Sequence, residues 1–553
     1  MPVRTSLKDR LLSRPFLCVL VIFILAAALR TVLLVHYRMI DTDSAYYGNI
    51  ARLFASGHWV KACDPYWPPL YPFLASLPYE SGLSLEAAGI IISLLASSGC
   101  VIVCFLLARI VASTSAGFLA AGLAAIHPRL IGISQSFLTE PLYAFFICGG
   151  LALFGLAFKS AEHRSFLKNS LLFFASGVLL ALSFLTRHEG ALYFLLLLIF
   201  SIAGLLLKPV FSKMAPLKSR PKNRHALLPL FLLAGFVSVS LVYIYQVTRL
   251  EGRLTLGEKA EANFYIAYKS EYEKAGISVE HSDYDSITGP EHPRRPGNYR
   301  VFEFIRKRPE KIIRQTLRNL PKALLDKIPS LMTWPFIALS LVGLIFRRRI
   351  RRVPFEKLLV LWILVAVFIY SPLFLFRRFF IATVPVFLVW GAVGLEELRH
   401  RMKRRLFLIL LSLWSVFSVL SANFSLSSQS WPILYKEAGL WLKAQGIKPL
   451  VLAGRKPETS FYAEAEFRPL KGQAVEELKN FFIQESATHL IVEDYILPSS
   501  HPGLVDLLDP AKAPVWLNPI HSAARDGHRL IIYEYSPDRT LSENSPQKWR
   551  GNH

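Results

Sequence analysis

Apolar runs of about 20 residues recur through the first 420 positions of this chain, and nothing else constrains its fold as strongly. A helix of that length satisfies its own backbone hydrogen bonds and offers apolar side chains on every face, which suits a bilayer rather than water. The runs lie at about 16–36, 87–108, 115–133, 137–158, 169–186, 190–207, 226–247, 330–346, 357–375, 379–395 and 406–422. They predict an α-helical polytopic membrane protein with about 11 transmembrane helices. Composition agrees, since only 18% of residues are charged and 53% are hydrophobic, against about 25% charged in soluble proteins.

The net charge of +24 would suggest nucleic acid in a soluble protein. Here the positive residues cluster at the ends of apolar runs: Arg4/Lys8/Arg10/Arg14, Lys159/Arg164/Lys168, Lys208 to Arg224, Arg347 to Arg352 and Arg399 to Arg405. With eleven spans every cluster falls on the side of the N-terminus, as the positive-inside rule requires of the cytoplasmic face. Nucleic acid is therefore excluded as a partner, and the lipid bilayer takes its place. The basic, then apolar N-terminus reads as an uncleaved signal anchor, because its apolar character continues through Arg30 to Val35. Four of the five cysteines lie inside apolar runs, without CxxC or Cys/His spacing, so neither a disulfide framework nor a zinc site is indicated.

This topology divides the chain into a membrane domain, 1–422, with outer loops at 37–86 and 248–329, and an extracytoplasmic domain, 423–553. In the latter, the β-rich runs "PLVLAGR", "THLIVEDY" and "HRLIIYEY" alternate with helical stretches such as "AVEELKNFFIQES", which predicts a small α/β fold. In the long loop, "VFEFIRKRPEKIIRQTLRNLPKALLDKI" spaces apolar residues at helical intervals with cations between them, as an interfacial helix does.

The first outer loop, "DTDSAYYGNIARLFASGHWVKACDPYWPPLYPFL", carries more chemistry than a connection needs. Tyr46, Tyr47, Ile50, Leu53 and Phe54 share one helical face, predicting a helix in the membrane interface with Asp43 or Ser44 as its cap. Asp43 then has two readings, a helix cap or a general base for an incoming hydroxyl, with Asp41 beside it. The Asp-x-Asp spacing also matches the metal-binding pair of nucleotide-sugar transferases, whose donors are cytosolic whereas this loop is outside. Trp67, Tyr66 and Tyr71 around Pro68-Pro69 suit a sugar face or, equally, the headgroup layer. Glu140 in "FLTEPLY", Arg187 and Glu189 in "LTRHEGALY", and Arg377 and Arg378 in "FLFRRFF" fall at outer ends of spans. Arginines there oppose the positive-inside bias. A bound phosphate would account for them, as would pairing with Glu140, Glu189 or lipid phosphates.

In this order and on these sides, "YYGNIARLFASGHW", "PPLYPFL", "TEPLY", "RHEG" and the late "RRFFIATVP" resemble the GT-C superfamily of polyprenyl-phosphate-sugar glycosyltransferases. Within it the chain looks most like the protein mannosyltransferase and aminoarabinose transferase type, glycosyltransferase family 39, over roughly residues 15–400. The resemblance implies inverting transfer of a sugar from a polyprenyl-phosphate donor to a protein, lipid or glycan hydroxyl on the outer face of a bacterial inner membrane. No cofactor is implied, and a divalent metal is left open. By resemblance Asp43 is the catalytic aspartate of the first loop, with Asp41 the alternative. Tyr46, Tyr47, Trp67, Tyr71, Glu140, Arg187, Glu189, Arg377 and Arg378 are the implied substrate contacts. Two departures stand out. The family commonly has Glu after its Asp where this chain has Ser44, and the aminoarabinose branch has Lys before its Pro-Pro where this chain has Trp67. The rival readings are a transporter or flippase for lipid-linked saccharides, which needs polar residues through mid-membrane, and a non-catalytic assembly subunit.

Overall fold

The computed structural model describes residues 14–34, 39–159, 165–206, 226–280, 297–347, 354–426, 432–447, 450–472 and 474–537. The basic residues Arg4, Lys8, Arg10, Arg164, Lys208 to Arg224 and Arg348 to Arg352 lie outside the described residues. Each of the eleven apolar runs overlaps a helix, though not along its whole length. Among the described residues, seven are long and apolar enough to cross a membrane: Pro15–Leu33, Leu85–Val111, Glu140–Lys159, Phe166–Thr186, Leu228–Glu251, Arg377–Arg401 and Arg404–Ala422. Helices Thr114–Ile126, Gly190–Leu206, Trp334–Arg347 and Pro354–Tyr370 are shorter.

Two of the short ones have local causes. The run expected at 115–133 is broken at His127, which is extended because the ring of Pro128 crowds a helical residue before it; a second helix follows, Pro128–Ile133. Trp334–Arg347 begins after Thr333, whose φ of 63° turns the chain, and it is bent by 109° from the preceding helix.

Glycines let the spans approach backbone to backbone. A methyl group at Gly177 would lie 2.1 Å from the Leu232 carbonyl oxygen, and one at Gly235 the same distance from that of Phe174. Small residues at such crossings give helices in lipid a packing gain that apolar bulk alone does not. Arg30, wholly buried, closes the carbonyl end of Thr114–Ile126: its guanidinium donates to the Ala124, Ala125 and Ala26 oxygens and to Ser97 Oγ, at 3.0–3.2 Å. Those bonds satisfy the carbonyls that the break at His127 strands.

The C-terminal part is the expected α/β unit. Strands β1 (Val451–Gly454), β2 (Glu466–Pro469), β3 (His489–Glu493), β4 (Leu517–Arg525) and β5 (His528–Tyr535) form one sheet ordered β2-β1-β3-β5-β4. β1 pairs in parallel with β2 and β3, while β5 runs antiparallel to β3 and β4. The sequence reading located β1, β3 and β5, the strands with continuous apolar runs. It missed β2, only four residues long, and β4, whose side chains are half-exposed.

This unit grips the first outer loop. Glu458–Ala463 packs on the helix Thr42–Ala55: Arg52 donates to the Phe461 carbonyl at 2.8 Å, and the Phe461 ring sits where a side chain at Gly48 would be. The Ile40 amide donates to Tyr462 Oη at 3.1 Å, Tyr462 donates to Glu86, and Lys436 pairs with Glu86 at 2.8 Å.

Candidate active site

The first-loop helix runs Thr42–Ala55, and its cap corrects the expectation. Asp41, extended, holds the cap position without a side-chain bond, while Ser44 donates to the Phe137 carbonyl at 2.7 Å. Asp43 stands in the first turn, where the positive end of the helix dipole favours a carboxylate. Neither aspartate is used as a cap.

The face with Tyr46, Tyr47, Ile50, Leu53 and Phe54 is buried, not laid on lipid. It meets Phe137, Trp67 and the C-terminal Phe461 in one cluster. The aromatic residues expected to face a sugar are likewise packing groups. Tyr71, fully buried, donates to the Gly89 carbonyl at 2.9 Å and shares a hydrogen bond with Ser93 at 2.7 Å. Tyr47 lies edge-on to Trp67 and Tyr71, its hydroxyl 3.5 Å from Thr139 Oγ1. Tyr46 stacks on Trp67 with centroids 4.9 Å apart and planes at 11°. These rings shape the wall behind the site. They were misread because a sugar platform and a buried aromatic cluster have the same composition.

In front of that wall the charged residues form an alternating chain. Arg378 Nη2 lies 3.0 Å from Asp43 Oδ2, and its Nε 3.7 Å from Glu140 Oε1. Arg187 Nη1 meets the same Glu140 oxygen at 3.0 Å and Nη2 meets Glu189 at 3.3 Å. Tyr370 donates to Glu189 at 3.2 Å. The middle of this chain is the least exposed part: Glu140 is 2% exposed and Arg187 11%, whereas Glu189 at one end is 24%, and Asp43 and Arg378 at the other are 27% and 40%. The inner members are thus fixed and the outer pair opens to the exterior of the bundle. Burial alone would lower the Arg187 pKa and raise that of Glu189, but each holds the other in its charged form, so Arg187 stands well above and Glu189 below its ordinary value. Crowding by surrounding atoms, then the Glu140 and Asp43 carboxylates, push the Asp41 acid up to about 6. Asp41 itself keeps solvent contact, so the neighbouring carboxylates are the firmer of these two causes.

Arg377 does not join this chain. It is exposed and makes no ion pair among the described residues. A lysine that sequence reasoning missed does join it. Lys259 Nζ lies 3.9 Å from the centre of the Trp67 ring and 5.1 Å from that of Tyr66, within the fields of Asp43, Glu189, Arg187 and Arg378. Burial pushes its ammonium down to about 8. The long loop brings it there: the Glu258 amide donates to the Pro65 carbonyl at 2.8 Å. Gly257, at φ 137°, passes so close to the His188 ring that any side chain would collide with it. The signal was present in "LTLGEKAE", a glycine turn ahead of a lone lysine, in a chain that lacks the lysine expected before Pro68-Pro69.

Among the described residues, no group of three or more His, Cys, Asp or Glu gathers as metal ligands would. Arginines answer Asp43 and Glu140 instead.

No protein-family model matches the sequence, and no curated protein sequence matches it. Solved structures do. The archaeal oligosaccharyltransferase AglB from Archaeoglobus fulgidus, in complex with an inhibitory peptide and a dolichol-phosphate, superposes with a TM-score of 0.56 at 13% identity, over 95% of this chain and 75% of that one. ArnT from Cupriavidus metallidurans bound to undecaprenyl phosphate gives 0.58 at 14% identity, over 93% of this chain and 97% of that one. ArnT in the apo state gives 0.59 at 14% identity with the same coverage. At these identities the likeness establishes the fold alone: a bundle of helices long and apolar enough to cross a membrane, with a small C-terminal sheet domain, the architecture these solved proteins share.

Proposed function

We propose that this chain is an inverting glycosyltransferase that moves a sugar from a polyprenyl-phosphate donor to an acceptor hydroxyl. Its C-terminal domain and the Asp43 site would lie on the outer face of the membrane, a bacterial inner membrane in the setting the sequence suggests. The observation that carries the reading is the half-exposed Arg378–Asp43 pair, a base held next to a phosphate-binding cation. The structures of AglB with a dolichol-phosphate and of ArnT with undecaprenyl phosphate support the donor class.

In this mechanism the donor phosphate replaces Asp43 on Arg378, because guanidinium binds phosphate oxygens bidentately. That exchange frees the Asp43 carboxylate to take the proton of the acceptor hydroxyl. The acceptor oxygen then attacks the anomeric carbon opposite the phosphate, the bond to the phosphate oxygen breaks, and the leaving group carries away the electron pair. Configuration inverts. Glu140, fixed by Arg187, keeps Arg378 aimed, and Lys259 adds a second cation that stabilises the developing phosphate charge. Lys259 would thereby serve where the family resemblance led one to expect a lysine at position 67. Since burial holds Lys259 near 8, donor affinity should fall as pH rises past that value, and Lys259→Arg should move this alkaline limb upward. A limb left in place by Lys259→Arg removes Lys259 from the donor site.

The deciding experiment incubates the purified chain with a panel of polyprenyl-phosphate sugars and candidate acceptors and identifies products by mass spectrometry. Sugar found on a new hydroxyl, with free polyprenyl phosphate released, supports the transferase. Translocation of intact donor across proteoliposomes without transfer would favour the flippase.

A further inference from the structure

The helix Pro309–Lys322 has one inward face and one that is exposed among the described residues. Inward, Ile312 and Leu320 pack against the two main apolar clusters and Asn319 is buried. Outward, Ile313, Arg314, Leu317, Arg318, Pro321, Lys322, Leu324 and Leu325 form one exposed stripe that continues past the helix end. Leu317 is 66% exposed and Leu325 74%. Among the described residues, Arg314, Arg318 and Lys322 have no carboxylate partner, whereas Lys311 on the flank pairs with Glu271 at 2.9 Å. A stripe mixing large apolar groups with unpaired cations suits neither water nor the bilayer interior, but it fits the headgroup layer of an anionic membrane. The bend of 109° at Thr333 gives independent support: if Trp334–Arg347 runs into the bilayer, the preceding helix must lie nearly parallel to its surface.

The inward face touches the turn that leads into the candidate site. Asn319 Nδ2 donates to the carbonyls of Ser371, at 2.9 Å, and Leu373, at 2.7 Å. Gln315 donates to the same Leu373 oxygen at 3.2 Å, and Tyr268 to the Pro372 carbonyl at 2.6 Å. Four and five residues beyond Leu373 the chain reaches Arg377 and Arg378. We infer that Pro309–Lys322 is an arm docked on the anionic headgroups of the bilayer, and that Asn319 transmits its seating to the turn carrying Arg378. Asn319 is a positioning residue, and its role in donor binding rests on the function proposed above. The docking itself does not.

The test uses the full chain in nanodiscs of phosphatidylglycerol or of phosphatidylcholine, followed by hydrogen exchange and by binding of undecaprenyl phosphate. The 309–325 segment should exchange more slowly on phosphatidylglycerol than on phosphatidylcholine, by about tenfold or more, since cations near an anionic surface add to the docking. The triple variant Arg314→Gln, Arg318→Gln, Lys322→Gln should lose that difference. Asn319→Asp keeps the side chain's size but cannot donate. It should speed exchange at 371–378, leave 309–325 protected, and weaken undecaprenyl phosphate binding about tenfold. Gln315→Ala, which loses one bond to that turn and one from Arg318, should speed exchange at 371–378 more weakly and serves if Asn319→Asp folds poorly. Equal protection of 309–325 in both lipids overturns the docking. Unchanged exchange at 371–378 in both variants overturns the coupling. If wild-type protein fails to bind undecaprenyl phosphate in either lipid while the exchange differences hold, the donor reading falls and the arm stands.

Discussion

Arg30 and Arg378 are arginines in the same membrane domain with opposite surroundings. Arg30 is wholly buried, and its guanidinium is divided among three carbonyls and a serine hydroxyl, with no acid beside it. Arg378 is 40% exposed; Glu140 lies 3.7 Å away, and Asp43, at 3.0 Å, could exchange places with an incoming anion. The first is a cap on a broken helix, saturated by the fold and unavailable to a ligand. The second has in Asp43 a partner that water can reach, where a phosphate would compete. Burial with saturation marks structure, and charge held at an opening marks chemistry.

The largest effect expected from this contrast belongs to Asp43. Asp43→Asn keeps the volume and removes the proton acceptor, so turnover should fall about 10²–10⁴-fold with donor binding retained. Asp41→Asn should cost far less. If Asp43→Asn turns over like wild type while Asp41→Asn is inactive, the base is Asp41; if both stay active, the loop is not catalytic. Replacing each arginine by lysine sharpens the comparison. Arg30→Lys loses the planar fork that spans four acceptors, so unfolding in detergent should come about 2–3 kcal/mol more easily with undecaprenyl phosphate affinity unchanged. Arg378→Lys should do the opposite, weakening affinity by about 1–3 kcal/mol with the melting temperature preserved. A shared phenotype for the two would erase the distinction.

The smallest effect concerns pH. The folded protein raises the Asp41 pKa from 3.8 to about 6, so it holds a proton there that the unfolded chain has released. Stability from this group is therefore present at low pH and is lost as pH rises through that window. Asp41→Asn should be the more stable protein near neutrality, by no more than about 1 kcal/mol because the site is open to solvent, and equal to wild type near pH 4. Thermal unfolding across that range checks the sign.

Much of this was legible in the chain itself. Apolar runs located the long helices of the membrane domain, since period and length are local properties, but not Leu70–Glu80 or Lys259–Lys274 in the outer loops, and the β-rich runs placed three of five strands. The acidic loop, Glu140, Arg187, Glu189 and Arg378 were found because charges at the ends of apolar runs are costly and conspicuous. Burial was not legible. Tyr71 and Trp67 looked like a sugar wall because composition cannot tell a ring facing a cleft from one packed behind it. Arg377 and Arg378, adjacent in sequence, were equivalent until the turn directed one to Asp43 and left the other outside.

By itself the sequence determined what is local: which segments are apolar enough to leave water, and which charges gather beside them. Tertiary structure decided what depends on distance between remote residues. It set Lys259 over Trp67 from 192 positions away, tied Arg378 to Asp43 from 335 away, and placed Asn319 under the turn that carries that arginine. Such pairings are fixed by helix crossings and loop docking, where glycines such as Gly177 and Gly257 allow contact that no local pattern records. The strength of a charge interaction depends on separation and on exclusion of water, and both exist only once the chain has folded.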